Sequence, residues 1–71
     1  MSSRHFDVGD LILDVTRGND VHALCIVVDI DETRSSVKLY VTLMHKNTSF
    51  HWVRKTYLMN RDIRDGIMRR A

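Results

Sequence analysis

The run Val37-Lys38-Leu39-Tyr40-Val41-Thr42-Leu43 alternates aliphatic side chains with charged, aromatic or hydroxyl ones. A period of two is typical of a β-strand that buries one of its faces. A slip of one residue in the pairing would place Lys38 in the core and Val41 in water, so the register is well specified. The pattern therefore predicts a strand whose core side carries Val37, Leu39, Val41 and Leu43.

Three further apolar runs flank this strand: Leu11 to Val15, Ala23 to Ile30 and Phe50 to Val53. Clusters of Gly, Asn, Asp, Ser and Thr separate the runs. Such spacing predicts successive antiparallel strands that close into a small, strongly bent barrel. In the first run, Leu11, Leu13 and Val15 share one side. The second run is apolar on both parities, which is typical of a strand that is central or bends between two layers. Its expected core residues are Leu24, Ile26, Val28 and Ile30.

The end of the chain has the pattern of a short helix. After a short strand or tight turn over residues 55–58, Asn60 can cap the first turn and Asp62 suits its positive end. The expected apolar side consists of Met59, Ile63 and Ile67, and the expected basic end carries Arg69 and Arg70. Gly66 inside this segment would weaken the helix by about 1 kcal/mol relative to Ala.

Length and composition indicate one domain. The 71 residues contain no proline, no repeat and one cysteine, Cys25, so an intramolecular disulfide is excluded and a reducing, cytoplasmic location is expected. Residues 1–7 lack the apolar stretch of a signal peptide, and no run is long enough to span a membrane. We expect a disordered N-terminus over residues 1–5, the barrel over 6–58 and a helical segment packed on it over 59–71.

Positive charge is concentrated at the C-terminal end. Residues 1–50 carry five Arg or Lys against seven Asp or Glu, whereas residues 51–71 carry six against two. A basic cluster attracts phosphate or an acidic protein surface, although Asp62 and Asp65 lie within it and partly neutralise it.

The order of these signals resembles the SH3-like small barrels. The resemblance covers about residues 6–58 and rests on Phe6-x-Val8-Gly9-Asp10-Leu11-Ile12, on the runs 23–30 and 37–41, and on Trp52-Val53 and Leu58. Tudor, chromo-barrel and KOW domains belong to this group, and small phage-encoded accessory proteins are similar to it. The resemblance implies a binding module without chemistry of its own, which engages nucleic acid, modified peptides or other proteins.

Neither metal binding nor catalysis is indicated by the reactive side chains. The four histidines and Cys25 show no finger-like spacing, and two ligands placed three apart on a strand, as are His22 and Cys25, would point to opposite faces. Cys25 lies among aliphatic residues, where burial raises a thiol pKa and keeps the sulfur protonated. We therefore expect no enzymatic activity, no cofactor, no metal and no small-molecule substrate.

Two groups of residues are candidates for binding. Tyr40 is expected to share a face with Lys38 and Thr42, and an exposed ring on a basic face is suited to stacking on a base. Trp52 is the other candidate ring. In the alternative interpretation, Trp52 plugs one end of the barrel and Tyr40 covers an edge. The second group is basic and is either an anion-binding surface or an ordinary solvated face; it consists of Lys46, Arg54, Lys55, Arg61 and Arg64, followed by Arg69 and Arg70.

These observations lead to two functional hypotheses. The first is a non-catalytic module that associates with nucleic acid, in transcription or phage-type regulation, through the basic C-terminal surface. The alternative is a small phage-type protein-interaction module that docks on a host enzyme or a virion component through a sheet edge or an apolar rim near Met44, Trp52 and Met59. Both a monomer and an edge-paired dimer are compatible with the sequence.

Overall fold

The protein is mainly β, as the sequence predicts. The computed structural model describes residues 5–15 and 21–71. These residues form five strands and one helix: β1 (Leu11–Asp14), β2 (Ala23–Asp31), β3 (Ser36–Leu43), β4 (Thr48–Lys55), α1 (Thr56–Arg64) and β5 (Met68–Arg70). All strand pairs are antiparallel, and the single sheet has the order β4-β3-β2-β1-β5.

The alternation predicted for β3 is confirmed. Val37, Leu39 and Val41 are buried, whereas Lys38 and Tyr40 are exposed on the opposite face. This side of β3 forms the middle of the core layer, because β3 pairs with β2 on one side and β4 on the other. We call the side of the sheet that carries these buried residues the inner face and the opposite side the outer face.

The predicted parity of β2 is wrong for most of the strand. Ala23, Cys25 and Val27 are buried, whereas Ile26 and Val28 are 45% and 43% exposed. A β-bulge between Val27 and Asp29 adds one residue to the strand and changes which parity faces inward. As a result Ile30, opposite Val37, does pack against the core as predicted, while Leu24 is half-buried.

The inward side of β1 also differs from the expectation. Ile12 is completely buried and lies opposite Cys25, whereas Leu11 is 38% exposed and Leu13 is half-buried on the outer face. Val15, just after the strand, is buried, and its amide donates to the carbonyl of Ile67 at 2.9 Å. Because β1 is apolar at Leu11, Ile12 and Leu13, its sequence does not identify which side is inward.

The C-terminal segment contains a helix and a strand. α1 begins at Thr56, so Asn60 lies within the helix and is not its cap; its Oδ1 instead accepts a hydrogen bond from the amide of His5 at 3.1 Å. Arg69 and Arg70 belong to β5, which pairs with β1, and not to a helix end. The predicted apolar side is confirmed at Met59, which is buried, and at Ile63, which packs against the core; Ile67 packs against the core too but lies beyond the end of α1.

Gly66 ends α1 and is not an interior residue that weakens it. Its φ is +81°, its amide donates to the carbonyl of Ile63 at 3.3 Å, and the amide of Ile67 donates to the carbonyl of Asp62 at 2.9 Å. These two bonds are those of a Schellman motif, which satisfies the last carbonyls of a helix and requires a left-handed residue after its C-cap. Glycine adopts that conformation without steric cost.

The core also incorporates residues from both ends of the chain. Phe6, Met59 and Met68 are buried together with the inward residues of β1, β2 and β3. Gly9, with φ at +93°, lies in the turn before β1. The sequence also predicts that Arg17-Gly18-Asn19-Asp20 ends the first strand, and this stretch lies outside the described residues, as do residues 1–4 of the segment 1–5 that is predicted to be disordered.

Candidate binding surfaces

Arg54 is not on the surface, contrary to its placement in the predicted basic cluster. Its Nη1 donates to Oδ2 of Asp62 at 2.8 Å, and the two side chains are 10% and 8% exposed. The guanidinium lies 4.6 Å from the Trp52 ring centroid, and Nη1 is 3.5 Å and 3.9 Å from the sulfur atoms of Met59 and Met68. Arg54 therefore joins β4 to α1 and β5 and is not available to a partner.

Arg61 and Arg64 are exposed, but each lies beside a carboxylate. Arg61 Nη2 is 3.3 Å from Asp62 Oδ1, and Arg64 Nε is 3.4 Å from Asp65 Oδ1. Arg70, on the adjacent β5, is similarly 3.3 Å from Asp10 Oδ2. Each of these carboxylates offsets the positive potential that would attract an anion.

The predicted lysines are spread over three parts of the sheet. Lys38 lies on β3, Lys46 lies in the turn between β3 and β4, and Lys55 ends β4, where its Nζ donates to the carbonyl of Arg34 at 3.4 Å. All three are exposed. The predicted basic residues are consequently distributed over β3, the turn after it, β4, α1 and β5.

Tyr40 lies on the outer face with Lys38 and Thr42, as the alternation of β3 requires. Its ring is 40% exposed and meets the ring of His51 in an edge-to-face arrangement with centroids 5.2 Å apart. Register places Ile26 directly opposite Tyr40, and Leu11 directly opposite Ile26. Leu11, Ile26, Tyr40 and His51 therefore form one row across four strands, which we call the apolar row.

A second row runs beside the apolar row on the outer face. The register aligns Arg69 of β5 with Leu13, Leu13 with Leu24, Leu24 with Thr42, and Thr42 with Ser49. The hydroxyls of Thr42 and Ser49 are 3.0 Å apart. Neither row contains a carboxylate, so this part of the outer face is apolar in the middle and neutral or basic at its ends.

Trp52 faces the inner side of the sheet at its margin. It is opposite the buried Leu39, yet 38% of its surface is exposed, and Phe50 is 41% exposed opposite the buried Val41. The inner-face rows of Val41 and Leu39 thus continue onto β4, where the side chains Phe50 and Trp52 remain partly exposed. Trp52 packs on Arg54 and neither closes the core nor joins Tyr40, which is on the other face.

The exposed side chains of Leu11 and Ile26 were not found by sequence reasoning. β2 is apolar on both parities, and such a run either is covered on both faces or exposes an apolar face. That ambiguity is the one sequence signal of an exposed apolar face, and it is equally compatible with the expected burial of Ile26 and Val28.

The thiol of Cys25 is buried as predicted. Burial, reinforced by the negative charge of Asp14, raises the pKa of Cys25 from 9.0 to about 11. A thiol in this state is protonated at neutral pH and is a poor nucleophile.

The described residues show few features of a small-ligand site. They contain no pocket and no cluster of three or more histidine, cysteine or acidic side chains arranged to hold a metal ion. The rings of His22 and His45 lie 5.8 Å apart, and Nε2 of His22 is buried without a hydrogen-bond partner. No helix in the described part of the chain has the length and apolar character that crossing a bilayer requires.

The chain matches no protein-family model, and neither a curated protein nor a solved structure is significantly similar to it.

Proposed function

We propose that this chain is a non-catalytic protein-interaction module and that the apolar row on its outer face is the docking surface. The observation that carries the proposal is the exposure of Leu11, Ile26 and Tyr40 side by side on three neighbouring strands. Contiguous apolar side chains on a folded surface mark interaction sites, whereas single exposed ones are ordinary.

The surroundings of the apolar row indicate what kind of protein surface fits it. Tyr40 supplies a large, semi-rigid ring of the type that is enriched in the energetically dominant part of interfaces. Arg69 lies at one end of the second row, and Lys38 precedes Tyr40 by two residues on β3, with Asp29 opposite it. We expect a partner that presents an apolar surface to this row.

The test uses the full chain as an affinity bait in lysate of its source cells. Wild type is expected to retain a protein partner after nuclease treatment, and Ile26→Lys is expected to lose it because an ammonium group replaces a side chain in the middle of the apolar row. Tyr57→Lys is the matched control, since Tyr57 is an exposed aromatic residue that lies on α1 and belongs to neither row. Equal capture by wild type and Ile26→Lys would rule out the apolar row as the docking surface.

Nucleic-acid association is the second candidate, and one observation favours it. Lys38, Tyr40 and His51 share the outer face, and Tyr40 and His51 already contact each other, so a base stacked on Tyr40 would have cationic or polar groups beside it. This candidate differs from the sequence hypothesis, because the basic groups are those of the outer face and not the C-terminal arginines.

The variant Ile26→Lys distinguishes the two candidate functions, because the affinity for the partner is expected to change in opposite directions. The added charge would preserve or strengthen contact with phosphates, whereas it would abolish apolar docking. Binding of single-stranded oligonucleotides that falls steeply with salt and is lost in Tyr40→Ala and Lys38→Glu would support the nucleic-acid candidate. Binding that is independent of salt would contradict it.

A further inference from the structure

The two edges of the sheet are protected to very different degrees. β5 forms one edge, is three residues long and contains Arg69 and Arg70, and both shortness and charge discourage pairing with another strand. β4 forms the other edge and has eight residues, and its segment Thr48–Val53 contains no proline and no Lys, Arg, Asp or Glu. An edge of this length and composition is a template for a further strand.

The inner face is left uncovered at the β4 edge. Phe50 and Trp52 extend the rows of the buried residues Val41 and Leu39 by one strand, yet both rings are about 40% exposed. On the outer side of the same strand, Val53 is 62% exposed. A strand added beside β4 would bring side chains next to Phe50 and Trp52 on one face and next to Val53 on the other.

We propose that a second copy of this chain pairs antiparallel with β4 and joins two five-stranded sheets into one. Charge supports this occupant: the segment Thr48–Val53 contains no Lys, Arg, Asp or Glu, so two copies of it place no like-charged pair of these residues in the middle of the pairing. An antiparallel pair of identical strands is related by a two-fold axis, which gives a closed dimer. The same two exposed rings, Phe50 and Trp52, are contributed by both copies and cover each other.

This proposal is independent of the docking function of the outer face. It predicts that the mass in solution rises with concentration from 8.3 kDa to twice that value, as measured by sedimentation equilibrium from micromolar to millimolar chain. Backbone amides of β4 are expected to gain protection from hydrogen exchange over the same concentration range, because the edge amides become hydrogen-bonded in the dimer.

Two variants and one control test the position of the contact. Phe50→Lys is expected to raise the dimer dissociation constant more than about tenfold, since it removes an aromatic contact and places a charge on the edge. Val53→Lys, at a more exposed position on the outer side of β4, is expected to act in the same direction and serves if Phe50→Lys does not fold. Tyr57→Lys is expected to dimerise like wild type.

Three results would overturn the proposal. The first is a wild-type mass of 8.3 kDa over the whole concentration range. The second is a dimer dissociation constant that is unchanged from wild type in folded Val53→Lys or folded Phe50→Lys. The third is a dimer that is lost in Ile26→Lys but kept in both β4 variants, which would place the contact on the outer face.

Discussion

Arg54 and Asp62 form a buried ion pair that connects β4 to α1. With side chains only 10% and 8% exposed, neither charge can be solvated by water once its partner is removed. Breaking a buried pair typically costs about 3–5 kcal/mol, whereas an exposed pair contributes about 0–1 kcal/mol. We therefore predict that Asp62→Ala lowers the free energy of unfolding, measured by urea denaturation, by about 3 kcal/mol or more.

The matched control is Asp65→Ala, which breaks the exposed contact with Arg64. It is expected to change the free energy of unfolding by less than about 1 kcal/mol, because both of those side chains are largely solvated. Replacing both buried partners, as in Arg54→Met with Asp62→Leu, should be less destabilising than Asp62→Ala alone, since no uncompensated charge remains. Equal effects of Asp62→Ala and Asp65→Ala would show that the Arg54 charge is not buried.

The burial of Cys25 could be predicted from the sequence, whereas the burial of Arg54 could not. Cys25 was correctly predicted to be buried because its neighbours along the chain are aliphatic. Arg54 was expected on the surface because arginine is usually exposed, and its partner Asp62 is eight residues away in a different element. No local pattern indicates a pairing of that kind.

Gly66 shows how one residue determines the boundary between two elements. If it were inside a helix, Gly66→Ala would stabilise the protein by roughly 0.5–1 kcal/mol. Gly66 instead has φ at +81° in the turn between α1 and β5, and a Cβ there would meet no atom within 4 Å. The cost of alanine is thus purely conformational, and we predict a loss of about 1–2 kcal/mol in the free energy of unfolding.

Gly66→Asn provides the comparison, because asparagine tolerates the left-handed conformation better than alanine does. In urea denaturation the expected order of stability is wild type, then Gly66→Asn, then Gly66→Ala. An alanine variant more stable than wild type would mean that the helix continues through this position.

The side of a strand that faces the core could be predicted from the sequence for β3 but not for β2. β3 alternates strictly, and its inward side was predicted correctly at Val37, Leu39 and Val41. β2 is apolar on both sides, and its parity changes at the bulge after Val27, so no single alternation describes it. The start of α1 carried no capping signal either, since Lys55 makes no side-chain hydrogen bond to the first turn.

The candidate binding surface was predictable only in part. Tyr40 and Lys38 were placed together on one face correctly, because both belong to the alternating strand. The apolar row became visible only when the register aligned Leu11, Ile26 and Tyr40 from three strands. Pairing registers between strands depend on the whole sheet, and they are not encoded in any one of the runs.

On the scale of the whole molecule, the C-terminal segment completes the fold and does not merely pack on it. α1 leads from β4 at one edge of the sheet to β5 at the other, and Arg54 on β4 approaches Met68 on β5. The sheet is therefore curved so that side chains of its two edge strands come together. A chain that ends near residue 58 would lose the elements that hold this curvature.

Cutting the chain after Leu58 tests this conclusion. The cut removes Met59 and Met68, which are 0% and 3% exposed, and leaves Arg54 without Asp62. Loss of a buried methionine side chain costs about 2–5 kcal/mol, and a domain of this length is typically stable by about 4–10 kcal/mol. Residues 1–58 are thus predicted to be unfolded, with no cooperative urea transition by circular dichroism. Removing Ala71 alone, whose amide donates to Leu11, should leave the transition intact. A cooperative transition in the 58-residue chain would instead show that the first four strands form a complete core.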